Sequence, residues 1–140
     1  MLKELGAEFC SIDQEYKKFN VAMVDLSGGS AKYYTFADLE EHINYFASAI
    51  HARGLRVDSR VAILAKNSFN YVVAYFGLRR AGMVPVLLNY KLPAEKIAQL
   101  LEHSESSFVF LDQEFLNLVP RSVSKVIIDS EFGSFLVRRV

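Results

Sequence analysis

Cysteine is nearly missing from this sequence. Cys10 stands alone, so no internal disulfide can brace the fold, and its place is the apolar face of a helix. An excess of charge of either sign is missing too. Lys plus Arg number 16 and Asp plus Glu number 16, so no global field draws the chain to nucleic acid or to an anionic membrane surface. No run reaches 18 uninterrupted apolar residues, which excludes a membrane-spanning helix. Met1-Leu2-Lys3-Glu4-Leu5 shows neither a basic segment nor an apolar one of the export type, and the default expectation is a cytoplasmic protein. Repeats, low-complexity tracts and linker-like runs are absent. Motif chemistry is sparse as well: there is no G-x-G-x-x-G after a strand, no G-x-x-x-x-G-K-[ST], no H-E-x-x-H and no C-x-x-C.

What is present is the composition of one folded domain. Hydrophobic residues make up 51% and charged residues 23% of 140 residues. A chain of that length buries about two-thirds of its unfolded surface. The stretch from Arg60 to Asp112 organises the rest. Val61–Ala65, Met83–Leu88 and Ser107–Leu111 are short apolar runs bounded by turn residues, with helix-length segments at Ser68–Ala81 and Ala94–His103 between them. That alternation predicts buried parallel strands joined by helical crossovers. Lys125–Asp129 reads as a fourth parallel strand, and Phe115–Val119 as a short helix stopped by Pro120.

Upstream, Leu5, Phe9, Ile12 and Tyr16 recur at helical spacing. Val21–Leu26 and Lys32–Thr35 read as a hairpin closed by Ser27-Gly28-Gly29-Ser30-Ala31. Thr35 with Asp38 three residues on is a capping box, and Leu39, Ile43, Phe46, Ala47 and Ile50 form one face of the helix it starts; Gly54 is its natural terminator. The predicted fold is a three-layer α/β domain: a mainly parallel sheet, helices on both faces and an N-terminal β-hairpin. The Ser68–Ala81 helix is apolar nearly all round until Arg79 and Arg80, so it needs cover on more than one side. If the terminal segments do not supply it, an apolar patch on or near that helix is expected, with self-association as its consequence.

Candidate chemistry is confined to turns. His42, His51 and His103 are scattered along helices without partners at metal-ligand spacing, and read as surface or helix-end residues. Ser27–Lys32 looks like a phosphate-cradling loop, but strand-like Tyr33-Tyr34 follows where a helix is required, so it reads as a hairpin turn. Asn67-Ser68 reads as helix capping. Asn89-Tyr90-Lys91 follows the C-terminal end of a parallel strand, where open α/β sheets bind ligands; it offers donors and a stacking ring, and is otherwise ordinary turn chemistry.

Tyr34-Thr35-Phe36-Ala37-Asp38-Leu39, Gly54, Asp58-Ser59-Arg60-Val61-Ala62-Ile63, Asn67, Arg80-Ala81-Gly82-Met83-Val84-Pro85-Val86 and Asn89 together resemble the N-terminal region of the ATP-dependent adenylate-forming enzymes. That superfamily includes acyl-CoA synthetases, the adenylation domains of peptide synthetases, and luciferases. The resemblance runs from about Val21 to Asp129; Asp58-Ser59 replaces the usual Gly-Asp, and Tyr90 replaces a common proline. It implies a ligase that activates a carboxylic acid, a fatty acid in the first instance, with ATP and Mg²⁺, and passes the acyl group from the adenylate to CoA. The family's phosphate loop, adenine pocket, ribose aspartate and catalytic lysine have no counterpart here. The resemblance therefore implies the first subdomain, residues 1–140, of a larger ligase, inactive alone, whose partners are the remainder of that ligase and its carboxylate substrate. No catalytic or metal-binding residue is expected in it. By resemblance, Asn89, Tyr90 and Lys91 line the nucleotide end of CoA. A stand-alone Rossmann-like binding or interaction module is the alternative.

Overall fold

Four consecutive residues of strand β3 (Arg60–Leu64) explain the layering. Val61 and Ile63 point to one face of a sheet, Ala62 and Leu64 to the other, and all four are fully buried. Alternation with no polar side chain is what a strand covered on both faces requires. These elements come from a computed structural model, which describes residues 18–129. The helical pattern of Leu5, Phe9, Ile12 and Tyr16, together with Cys10 and the apolar stretch Phe135–Val140, lies outside the described residues.

Within them the order is β1 (Val21–Asp25), β2 (Lys32–Thr35), α1 (Phe36–Ala52), β3, α2 (Phe69–Arg80), β4 (Val84–Leu87), α3 (Ala94–His103), β5 (Phe108–Leu111), a 3₁₀ helix (Gln113–Leu118) and β6 (Ser124–Ile127). β1 and β2 form an antiparallel hairpin, and β4-β3-β5-β6 form an all-parallel sheet, as expected. One face carries α1 and α2 over Val61, Ile63, Phe108, Phe110, Val126 and Ile128. The other carries α3 and the 3₁₀ helix over Ala62, Leu64, Val109 and Leu111.

One expectation is corrected. β4 is not buried: Val84 and Leu87 are 45% and 52% exposed, because among the described residues it is an edge strand. The Val84 and Leu88 amides donate inward to Ser59 and Ile63 (2.9 and 3.0 Å), so Pro85 faces the open side, where a missing N–H costs no ladder bond. The short helix expected after β5 is present as a 3₁₀ helix that starts at Gln113; its N-cap residue, Asp112, commits its carboxylate to Lys66 N (2.8 Å) instead of to the helix. The apolar side chains of α2 outside the core are covered in part. Tyr71, Val72, Tyr75 and Phe76 are half-buried, and the exposed apolar side chains nearby belong to the hairpin: Val21, Val24, Leu26 and Tyr33.

The capping box forms as read, with Thr35 N donating to Asp38 Oδ2 (2.8 Å) and Asp38 N to Thr35 Oγ1 (3.1 Å). Gly54, at φ 72°, ends α1 in the left-handed region that glycine tolerates. Arg80 joins α2 to α1 through a two-pronged contact with Glu40 (2.9 and 3.0 Å) and a bond to Asn44 Oδ1 (2.7 Å). The hairpin docks on the N-terminus of α2 twice over: Tyr34 stacks on Phe69 (3.6 Å, 4°), and Asp25 Oδ2 accepts from Phe69 N (2.8 Å).

Candidate functional site at the carboxyl edge of the sheet

The parallel sheet brings the ends of β3, β4, β5 and β6 to one edge, and a set of side-chain to main-chain bonds ties them laterally. Asp112, after β5, accepts from Lys66 N after β3 (2.8 Å), and Asp129, after β6, accepts from Gln113 N (3.0 Å). Main-chain bonds continue the ladder, from Leu88 N to Ile63 O (3.0 Å) and from Ile128 N to Leu111 O (2.8 Å).

On this edge stands the turn singled out from sequence. Asn89 is exposed, and its Oδ1 accepts from Lys91 N (2.9 Å), so its side chain builds the turn and keeps its amide N–H groups for other partners. Tyr90 is half-buried, with one ring face stacked on Phe115 (4.9 Å, 19°). Lys91 is exposed and its ammonium is unpaired among the described residues. The turn geometry leaves the Lys91 cation and the Asn89 amide donors on an exposed surface.

The structure adds residues that sequence reading missed. Phe115 carries Tyr90 on one side, and Lys66 Nζ lies 5.9 Å from its ring centroid and 2.8 Å from Glu114 Oε1. That hydrogen bond, reinforced by the charge of Glu114, pushes the Lys66 ammonium above the usual lysine range. Asp112 is the one buried charged side chain among the described residues. Burial, first of all, and the like charges of Asp129 and Glu114 push its carboxyl above the ordinary value of 3.8, against the pull of the Lys66 N–H.

That shift has a testable sign. A carboxyl whose folded pKa is raised stabilises the fold fully below its unfolded value, and the contribution is lost as pH rises through the folded pKa. Asp112→Asn keeps an acceptor for Lys66 N and removes the charge. It is expected to match or exceed the parent in stability at neutral pH, with the advantage vanishing below pH 3.8. Asp112→Ala is expected to cost about 1–3 kcal/mol at either pH by orphaning the amide. Urea unfolding of the three chains at the two pH values checks this; an Asn variant as damaged as the Ala variant at neutral pH contradicts it.

The other motifs resolve differently. Ser27–Ala31 is a hairpin loop that ends where Lys32 starts β2, with Ser27 N donating to Asp25 Oδ1 (2.8 Å) and Gly29 at φ 85°. The N-terminus of α2 beside it already holds the Asp25 carboxylate. Burial works to raise that carboxyl, but the bonds from Ser27 and Phe69 N keep it below 3.8. Ser68 caps α2 by accepting from Tyr71 N (3.1 Å), whereas Asn67 takes no part in the cap. Asn67 instead lines a cavity of about 280 Å³ between the hairpin and α2, with Met23, Leu26, Tyr71 and Val72. His42 Nδ1 lies 2.7 Å from Asp38 O, the ordinary contact of a helix histidine. Among the described residues no three His, Cys, Asp or Glu side chains form a metal site, and no helix is long and apolar enough to cross a membrane.

Open α/β sheets with helices on both faces bind ligands, as a rule, at their carboxyl edge. The comparisons give the family. The family model described as AMP-binding enzyme matches residues 13–136. The peroxisomal acetate/butyrate–CoA ligase of Arabidopsis thaliana is 34% identical over 105 residues, covering 75% of this chain and 18% of that protein. The 4-hydroxybenzoate–CoA/benzoate–CoA ligase of Rhodopseudomonas palustris is 30% identical over 90 residues, covering 64% and 17%. The o-succinylbenzoate–CoA synthetase of Bacillus subtilis, solved with ATP and a magnesium ion, superposes with TM-score 0.70 at 26% identity, over 79% of this chain and 30% of that one. An anthranilate–CoA ligase bound to anthranoyl-AMP shares the fold at TM-score 0.83 and 19% identity, over 97% and 27%. The chain belongs to the AMP-binding enzyme family. It spans less than a fifth of the length of these two curated relatives, 18% and 17%.

Proposed function

We propose that residues 1–140 are the first N-terminal subdomain of an ATP-dependent acid–CoA ligase, and that Asn89, Tyr90 and Lys91 line the nucleotide end of CoA. The observation that carries the reading is the exposed Lys91, its ammonium unpaired among the described residues, in one turn with the exposed Asn89 at the carboxyl edge of a parallel sheet in a chain of this family. A phosphate-bearing ligand fits such a surface, which offers one free cation and two amide donors in a turn braced by Phe115. ATP and Mg²⁺ do not fit the described residues in the same way, because the N-terminus of α2 is filled by Asp25 and no metal-binding set converges. Their binding is assigned to the remainder of the ligase, and so is the choice of acid. The relatives named above act on acetate, butyrate, benzoate and 4-hydroxybenzoate; a carboxylic acid is the substrate class proposed here, with fatty acids the first to try and the cytoplasm the setting. The exposed apolar side chains Val24, Leu26 and Tyr33 are proposed to meet the remainder of the ligase.

The turn is tested by separating the two half-reactions. In the intact ligase, Lys91→Ala is expected to raise the KM for CoA about three- to tenfold, the loss of one exposed charged contact. Acid-dependent exchange of pyrophosphate into ATP, which needs no CoA, is expected to be unchanged. Equal losses in both steps would mean a folding defect and would remove the turn from the CoA site.

A further inference from the structure

We infer that Lys66 is a second cation of the same surface, held off the ligand by Glu114 until a phosphate displaces it. The inference rests on the proposal that the turn Asn89–Lys91 lines the nucleotide end of CoA. Lys66 follows β3, the strand beside β4, and its ammonium and the Tyr90 ring both lie against Phe115, at 5.9 and 4.9 Å. A ligand lying along Tyr90 and Lys91 therefore comes within reach of Lys66. The backbone of Lys66 is pinned by Asp112 (2.8 Å), so only its side chain has to swing.

The pairing with Glu114 is weak enough to exchange. At 2.8 Å it is well formed, but the two side chains are 52% and 53% exposed, and solvent screens such a pair almost completely. A phosphate brings up to two charges and three acceptor oxygens to one ammonium, so it outbids a single exposed carboxylate. The charged groups around the site are Lys66 and Lys91 on one side, and Glu114, the buried Asp112 and Asp129 on the other. In that balance Glu114 acts against the ligand: it competes for Lys66 and repels the incoming phosphate.

The two partners of one ion pair should therefore have opposite effects, which no structural role for the pair gives. The test is titration of CoA into the ¹⁵N-labelled 140-residue chain, followed by amide chemical shifts. Lys66→Met keeps the alkyl stem over Phe115 and is expected to weaken CoA binding about fivefold, whereas Glu114→Gln is expected to tighten it about threefold. Lys91→Ala, measured alongside, reports on the turn itself. If Lys91→Ala weakens binding while Lys66→Met leaves it unchanged, or if Glu114→Gln weakens it as much as Lys66→Met does, the turn stands and this inference falls. If neither the parent nor Glu114→Gln shows CoA-dependent shifts at the turn, both fall together.

Discussion

Gly77→Val is expected to destabilise the chain by about 2–4 kcal/mol, one of the largest single-residue effects the fold offers. A Cβ built at Gly77 would lie 2.9 Å from Phe46 Cγ and 3.0 Å from Phe46 Cβ, closer than carbon atoms approach without displacement. Phe46 has little room to yield. It is fully buried, packs on Phe110 at 5.0 Å, and sits on the capped helix α1. Gly77→Ala sets two effects against each other: helix propensity gains about 1 kcal/mol, and overpacking costs about 1–3. It is expected to come out mildly destabilising. Valine keeps the clash, adds two methyl groups and loses most of the propensity gain. Denaturant unfolding gives the values, and Phe46→Ala gives the cause. In a Phe46→Ala background the cost of Gly77→Val should shrink, because Cγ and the ring atoms that force the strain are gone. A valine variant as stable as the parent, or a cost unchanged by Phe46→Ala, contradicts the close approach of α1 and α2.

Nothing around Gly77 in the sequence announces that approach, because its reason is a side chain on a different helix. The contrast with the capping box is instructive. Thr35 and Asp38 satisfy each other within one helical turn, so their spacing alone reveals them. The strands were legible for a similar reason: apolar runs closed by Lys66-Asn67-Ser68 or by Asn89-Tyr90-Lys91 carry their own boundaries. Pro85 also carried a signal, since a proline inside a strand run marks an edge, and β4 is one. The candidate site was legible only in part. Asn89, Tyr90 and Lys91 are contiguous and sit where the sheet rule looks for ligands. Lys66, Asp112 and Glu114 meet only when β3 and β5 pair; 46 positions separate Lys66 from Asp112, and no local period links them. The same holds for Asp25 on the N-terminus of α2, 44 positions away. The glycine-rich loop is read as a hairpin turn from the sequence alone, and that contact adds that the neighbouring helix end is already filled.

The second large effect is all-or-none. Adenylation needs backbone donors, a metal and a basic side chain arranged around the α-phosphate before reaction. The 140-residue chain supplies none of these in one place among its described residues. Ser27–Ala31 closes a hairpin, the Asp25 carboxylate fills the end of α2, and Asn89–Lys91 offers one cation with no carboxylate in the turn to hold a metal. The reading of this chain as the opening portion of a ligase, carrying a CoA-lining turn but not the phosphate chemistry, is tested most directly by pyrophosphate exchange. The chain is incubated with ATP, Mg²⁺ and carboxylic acids from short to long, beside the longer ligase proposed to contain it. The expected result is no exchange of pyrophosphate into ATP above a blank for the chain alone, and acid-dependent exchange for the longer protein. Reproducible, acid-dependent exchange by the 140-residue chain, surviving repurification, would contradict the account.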